Sequence, residues 1–167
     1  MTAKILPLDE LARRLEASRG AGCRIVHCHG CFDLLHVGHV RHLQAARAMG
    51  DLLVVTVTAD AHVTKGTGRP AFTDALRAEM LAALACVDFV AIVRRPTAVE
   101  AIRLIRPDVY VKGQTGADPT RRSARLQREI AAVREVGGEA SFTHEAEFSS
   151  TALLNAYFRI PADETTA

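Results

Sequence analysis

Residues 30–39 read Gly-Cys-Phe-Asp-Leu-Leu-His-Val-Gly-His and stand where a strand gives way to a helix. The apolar run Arg24-Ile25-Val26-His27-Cys28 before them reads as the strand, and a helical pattern opens near Val37. His36 and His39 therefore sit three apart in a helix's first turn, with both rings on one side. The unpaired backbone N–H groups of that turn point the same way and make an anion site. Gly38, between the histidines, lets a ligand approach the backbone closely. A phosphate chain suits such a place.

On either side of this junction, strand-like and helix-like segments alternate. Runs rich in Val and Ile occupy 24–28, 52–58, 87–93 and 108–112, with a weaker one at 139–143. Helical patterns lie between them at about 38–49, 73–85, 97–105 and 121–136, with stops at Gly50-Asp51, Arg106-Pro107 and Gly137-Gly138. Continuous apolar strands interleaved with helices indicate a parallel sheet covered on both faces. In such a sheet, ligands bind beyond the carboxyl ends of the strands, where strand order reverses. The loops at 29–39, 58–69 and 112–118 leave those ends, and all carry glycine with charged or imidazole groups. Neither a dinucleotide-type glycine fingerprint nor a Walker A sequence follows the first strand.

The chain of 167 residues reads as one domain, 1–167, with a core at about 20–158. A short amphipathic helix is expected at 8–18 and a polar tail at 161–167. Hydrophobic residues make up 49% and charged residues 24%, an ordinary globular balance, and a net charge of +2 does not argue for a nucleic-acid partner. Arg121, Arg122, Arg125 and Arg128 cluster, and are read as the solvated basic face of a helix. No apolar run approaches the ~18 residues of a membrane span, and no secretory core opens the chain. A cytoplasmic location with four reduced cysteines is expected.

Cys28-His29-Gly30-Cys31 offers a competing chemistry, since a C-x-x-C before a helix suits a redox pair, and nearby histidines suggest zinc. Neither accounts for His36 and His39, and Cys23 and Cys86 stand alone without the spacing of a second metal pair.

The decapeptide resembles the HxGH signature of the nucleotidylyltransferase superfamily. Asp51-Leu52-Leu53-Val54-Val55, Gly68-Arg69-Pro70, Arg77, Val87-Asp88, the Pro107–Gly113 run, Val136-Gly137-Gly138 and Phe148-Ser149-Ser150-Thr151 follow in that family's order. Over about residues 8–158 the set is most similar to the heptose 1-phosphate adenylyltransferase branch, with glycerol 3-phosphate cytidylyltransferases as more distant relatives. The resemblance implies a Rossmann-like three-layer α/β sandwich with a five-stranded parallel sheet. It implies transfer of AMP from ATP to a sugar phosphate, with Mg²⁺ accompanying the nucleotide. His36, His39 and Lys65 take catalytic roles, with Arg69 a second candidate for the mobile cation. Cys31, Phe32, Gly38, Arg69, Lys112, Gly113, Ser149, Ser150 and Thr151 are expected on the nucleotide. Asp33, Asp60, Arg77 and Asp118 are expected on the acceptor, Arg77 alternatively pairing with a carboxylate across the site. Further implications are a homodimer and a sugar kinase on a separate polypeptide. A cytidylyltransferase, a non-catalytic nucleotide-binding module and a redox module are the alternatives.

Two departures bear on the acceptor. Lys112-Gly113-Gln114-Thr115-Gly116-Ala117-Asp118-Pro119 stands where the heptose branch places an Asp-Tyr pair soon after Lys-Gly. His29 stands where that branch commonly has Asn.

Overall fold

The computed structural model describes residues 4–66 and 68–144. Ser149, Ser150, Thr151 and the polar tail lie outside the described residues. Strands β1 (Ile25–Gly30), β2 (Leu52–Thr58), β3 (Phe89–Val93), β4 (Val109–Lys112) and β5 (Glu139–Phe142) form one sheet, all parallel, in the order β3-β2-β1-β4-β5. The helices are α1 (Leu8–Gly20), α2 (Val37–Arg47), α3 (Asp74–Ala82), α4 (Val99–Ile105) and α5 (Ala124–Glu135). The five-stranded parallel sheet with helices on both faces is the architecture expected from the sequence.

Successive strand residues point to opposite faces, which sorts the apolar residues into two layers. Val26, Cys28, Val55 and Val57 pack with Leu43 of α2 and with Ala78 and Leu81 of α3. On the other face, Ile25, Val54, Ala91 and Val93 pack with Leu11 and Leu15 of α1 and with Ala101 and Ile105 of α4. Tyr110 joins that second face with Ile102 and with Val133 of α5. Each such leucine or isoleucine removed from water contributes about 1.5–3 kcal/mol, which is ample reason for the strands to be continuously apolar. Since α2 and α3 cover one face while α4 and α5 cover the other, strand order reverses between β1 and β4. A crevice opens there at the carboxyl ends.

Several boundaries differ from the sequence reading by one to three residues, and one pairing is new. β3 begins at Phe89 rather than 87, because Asp88 instead accepts from the Leu53 N–H at 2.7 Å and pairs with Arg47 at 3.1 Å. α5 begins at Ala124 rather than 121, because the Ser123 hydroxyl accepts from the Leu126 N–H and caps it, while Pro119–Arg121 form a separate tight turn. Residues 4–6 add an unexpected short parallel pairing to the edge strand, through Val90 N–H to Lys4 O at 2.9 Å and Leu6 N–H to Val90 O at 3.0 Å. Covering the edge this way removes a template for strand addition. Among the described residues, no helix is long and apolar enough to cross a membrane.

Candidate active site

The histidine pair is built by the turn from β1 into α2. Phe32 adopts φ 50°, in the left-handed region, and its buried ring folds back over Gly30, where an added Cβ would stand 3.0 Å from the ring. That reversal lets Phe32 meet the edge of the His39 ring at a centroid distance of 5.3 Å. His36 is the N-cap of α2, its Nδ1 accepting from the His39 N–H at 3.4 Å. The cap leaves the proton of a neutral His36 on Nε2. The two imidazoles stack with centroids 3.8 Å apart and planes 22° from parallel. Burial first, then neighbouring charges that include Lys65, lowers both pKa values, that of His39 to about 4. Both rings are therefore neutral at pH 7, and the backbone of Leu34 hydrogen-bonds the His39 ring. Gly38 is buried between them.

Asp33 lies beneath this turn and is fully buried. Its carboxylate takes the Arg69 Nε–H and the backbone N–H groups of Ala71 at 2.7 Å and Phe72 at 3.3 Å. Burial raises its pKa, but the Arg69 and backbone hydrogen bonds more than offset that and hold it below the usual carboxylate range. Arg77 is also fully buried. It donates to the carbonyls of Cys31, Thr58 (2.7 Å) and Phe72 (3.0 Å), and to the Asp60 carboxylate at 2.7 Å. Arg77 thus ties the ends of β1 and β2 to the loop before α3, and its pairing with Asp60 is the carboxylate partnership raised from the sequence. Asp118 is exposed and caps the Pro119–Arg121 turn through the Thr120 N–H and hydroxyl, at 2.9 and 2.7 Å. It does not line the cavity described next.

A cavity of about 310 Å³ fills the crevice, lined by Gly30 and Cys31 from β1's end, His62–Lys65, Lys112 and the first turn of α5. It brings Lys65, Cys31 and Lys112 together, whereas His36, His39, Phe32, Gly38 and Arg69 do not line it. Exposed Gly113 follows Lys112. The cavity also holds residues to which the sequence reading gave no site role: His29, Thr58, Arg125 and Glu129. These continue a polar column along the sheet face that α4 and α5 cover. His27 Nε2 meets Thr56 Oγ1 at 2.8 Å, Thr56 Oγ1 meets His29 Nδ1 at 2.9 Å, and Arg125 donates to His29 Nε2 at 3.0 Å. Arg125 Nε bonds Glu129 at 3.2 Å, Tyr110 donates to the same carboxylate at 2.9 Å, and Lys112 lies 3.5 Å from it. Burial, followed by Lys112, lowers His27 to about 3 and His29 well below its ordinary value. The signal was present as alternation: His27 and His29 in one strand, Thr56 and Thr58 in the next, polar at every second position of otherwise apolar runs.

The arginine cluster is accordingly not a uniformly solvated face. Arg125 turns into the cavity, and Arg122 lies over the Phe142 ring at 5.0 Å while donating to Gly116 O at 2.8 Å. Arg121 and Arg122 precede α5, so the three- and four-residue spacing that would put all four arginines on one helix face does not run through them.

A family described as cytidylyltransferase-like matches residues 27–156. The chain belongs to the cytidylyltransferase-like family. Curated relatives include the bifunctional protein HldE of Geotalea uraniireducens (strain Rf4), 52% identical over 113 residues, or 66% of this chain and 23% of that protein. The bifunctional protein HldE of Helicobacter pylori (strain G27) is 45% identical over 112 residues, 66% of this chain and 24% of that protein. The chain thus spans about a quarter of the length of these relatives. A crystal structure of a lipopolysaccharide core biosynthesis protein from Thermoplasma volcanium GSS1 shares the fold with TM-score 0.60 and 22% identity, covering 77% of this chain and all of the other.

In this cytidylyltransferase-like chain the cysteines do not make a reactive pair. All four described cysteines are free, and burial raises Cys28 to about 12 and Cys31 above its ordinary value. A thiolate nucleophile needs the opposite shift. Among the described residues, no group of three His, Cys, Asp or Glu side chains could hold a metal. His42, one turn beyond His39, bonds Thr143 at 2.7 Å on the α2 side of β5.

Proposed function

We propose that this chain transfers AMP from ATP to a sugar phosphate, heptose 1-phosphate first among the candidates, and releases pyrophosphate. An oxygen of the acceptor's phosphate attacks the α-phosphorus in line, and the bond to the bridging oxygen of the β-phosphate breaks. The acceptor is already an anionic nucleophile, so no strong general base is needed. The barrier lies in bringing anions together and in stabilising charge on the phosphate oxygens. The observation that carries the reading is the stacked pair His36 and His39 at the start of α2, with Lys65 close enough for its charge to lower both pKa values. Neutral imidazole N–H groups and helix N–H groups bind the triphosphate, and Lys65 supplies the cation that moves with it. Arg69 is committed to Asp33, which favours Lys65 for that role.

The carboxylate beside the histidines is spent on Arg69, so a Mg²⁺ ion that arrives with ATP is held by phosphate oxygens and water. Its charge offsets that of the triphosphate. Ser149, Ser150 and Thr151 are assigned to the β- and γ-phosphates. A homodimer, a cytoplasmic setting and a sugar kinase that supplies the acceptor complete the reading. Cytidylyl transfer to glycerol 3-phosphate is the second reading, favoured by the family's description.

A pyrophosphate-release screen of four NTPs against sugar and polyol phosphates tests both. ATP with a sugar 1-phosphate is the expected pair. CTP with glycerol 3-phosphate would select the second reading, and silence from every pair would leave a binding module.

A further inference from the structure

The crevice cluster carries a charge that the described residues do not balance. Lys112 and Arg125 both lean on Glu129, whose side chain is only 2% exposed, so two cations share one carboxylate. Lys65 adds a third positive group on the cavity wall, and the first turn of α5 contains no acidic residue. Arg125 occupies that turn instead, where the helix's own field opposes a cation. Such an arrangement is stable only if something anchors the guanidinium, and something does. Arginine can only donate, so His29 Nε2 must accept from it, and the His29 proton is forced onto Nδ1, facing Thr56. The Thr56 hydroxyl then donates onward to His27 Nε2. Two of the three guanidinium nitrogens are thereby fixed, Nε on Glu129 and Nη2 on His29, while Nη1 has no partner among the described residues.

We infer that Arg125 is the residue that binds the acceptor's phosphate and selects an acidic acceptor, with Glu129 and the His27–Thr56–His29 chain as its positioning residues. The inference rests on the transfer reading for the identity of the anion. A phosphomonoester on a small sugar or polyol matches the cavity, whose volume of about 310 Å³ is at the small end for ligand sites. One anionic group neutralises the excess charge left by Lys112, Arg125 and Glu129. Arginine suits this task better than lysine, because its planar fork keeps donors for phosphate after two are spent on the protein.

Calorimetric titration tests this with α-D-mannose 1-phosphate, α-D-glucose 1-phosphate, glycerol 3-phosphate and, separately, ATP. At least one sugar or polyol phosphate is expected to bind the wild-type chain. Arg125→Gln should weaken that binding at least tenfold while ATP affinity stays within about twofold, and Arg125→Lys should fall between. Thr56→Val, which removes the relay and not the arginine, should raise the acceptor KM about two- to fivefold at unchanged kcat. Unaltered sugar-phosphate affinity in Arg125→Gln, equal loss of ATP, or no binding of any of these phosphates by the wild type would overturn the inference. Should Arg125→Gln fold poorly, the Lys variant carries the same comparison. An enzyme that releases pyrophosphate while Arg125→Gln keeps the wild-type acceptor KM defeats this inference and leaves the transfer reading standing. Phosphate binding that follows Arg125, without pyrophosphate release from any pair, does the reverse.

Discussion

His36 does two jobs with one ring, and they can be separated. Its Nδ1 caps α2 through the His39 N–H, and its other nitrogen is the one assigned to phosphate. Loss of a helix cap costs about 1 kcal/mol, and asparagine is among the best cap residues. His36→Ala should therefore lower both stability and turnover, whereas His36→Asn should recover the stability without the turnover. Urea melts read beside kcat check this, and an Asn variant with wild-type kcat would remove His36 from the chemistry. His39 has no capping role, so His39→Ala should lower kcat by about 10²–10³ with the melt nearly unchanged, the range for losing one transition-state donor. This pair was legible in the sequence because both residues lie within one helical turn. His29 and Arg125 are separated by 96 positions, and their meeting depends on β1 lying beside β4 and on which strand face each presents. Neither fact can be read from a local pattern.

At the scale of elements, Arg77 joins α3 to the ends of β1 and β2. Its guanidinium serves the Cys31, Thr58 and Phe72 carbonyls as well as Asp60, so a shorter apolar residue would strand several buried acceptors at once. Each such loss costs about 1–3 kcal/mol, with relaxation and water recovering part of the sum. Arg77→Met should destabilise the chain by roughly 3 kcal/mol, measured as a shift in the urea midpoint at constant slope. A variant of wild-type stability with a raised acceptor KM would instead make Arg77 a substrate ligand. Strands and helices themselves were legible because Val- and Ile-rich runs and glycine stops act locally. β2 matches the sequence reading at 52–58, and every expected element within the described residues is present. The start of α5 was not legible in the same way. Arginines at 121 and 122 suit a helix well enough, and only the Ser123 hydroxyl meeting the Leu126 N–H decides that the helix begins after them.

For the whole molecule, the histidines make acid the weak side of stability. His27, His39 and His42 have pKa values lowered to about 3, 4 and 4, with burial the first cause for each. For His27, Lys112 pushes the same way and Glu129 opposes. An unfolded chain takes up these protons near pH 6.5 and the folded one does not, so stability is complete above that pH and falls as pH drops toward the folded values. Each buried histidine adds a slope of up to about 1.4 kcal/mol per pH unit. Carboxylates dominate only at lower pH, since the pKa values of Asp33 and Glu129 lie below their ordinary 3.8 and 4.5. The interval from pH 6.5 to 4.5 therefore reports on imidazoles. His27 is the cleanest probe because it is fully buried, lies 5.2 Å from the Tyr110 ring, and has a buried Nδ1 with no hydrogen-bond partner among the described residues. Phenylalanine preserves the ring contact, removes the titration and leaves Thr56 its bond to His29. His27→Phe should flatten the pH dependence of the unfolding free energy by up to about 1.4 kcal/mol per pH unit across that interval, on top of a pH-independent loss of about 1–3 kcal/mol for the Thr56 hydroxyl left without its acceptor. Parallel curves for variant and wild type would show that His27 carries a proton in the fold, and that the polar column is charged rather than neutral.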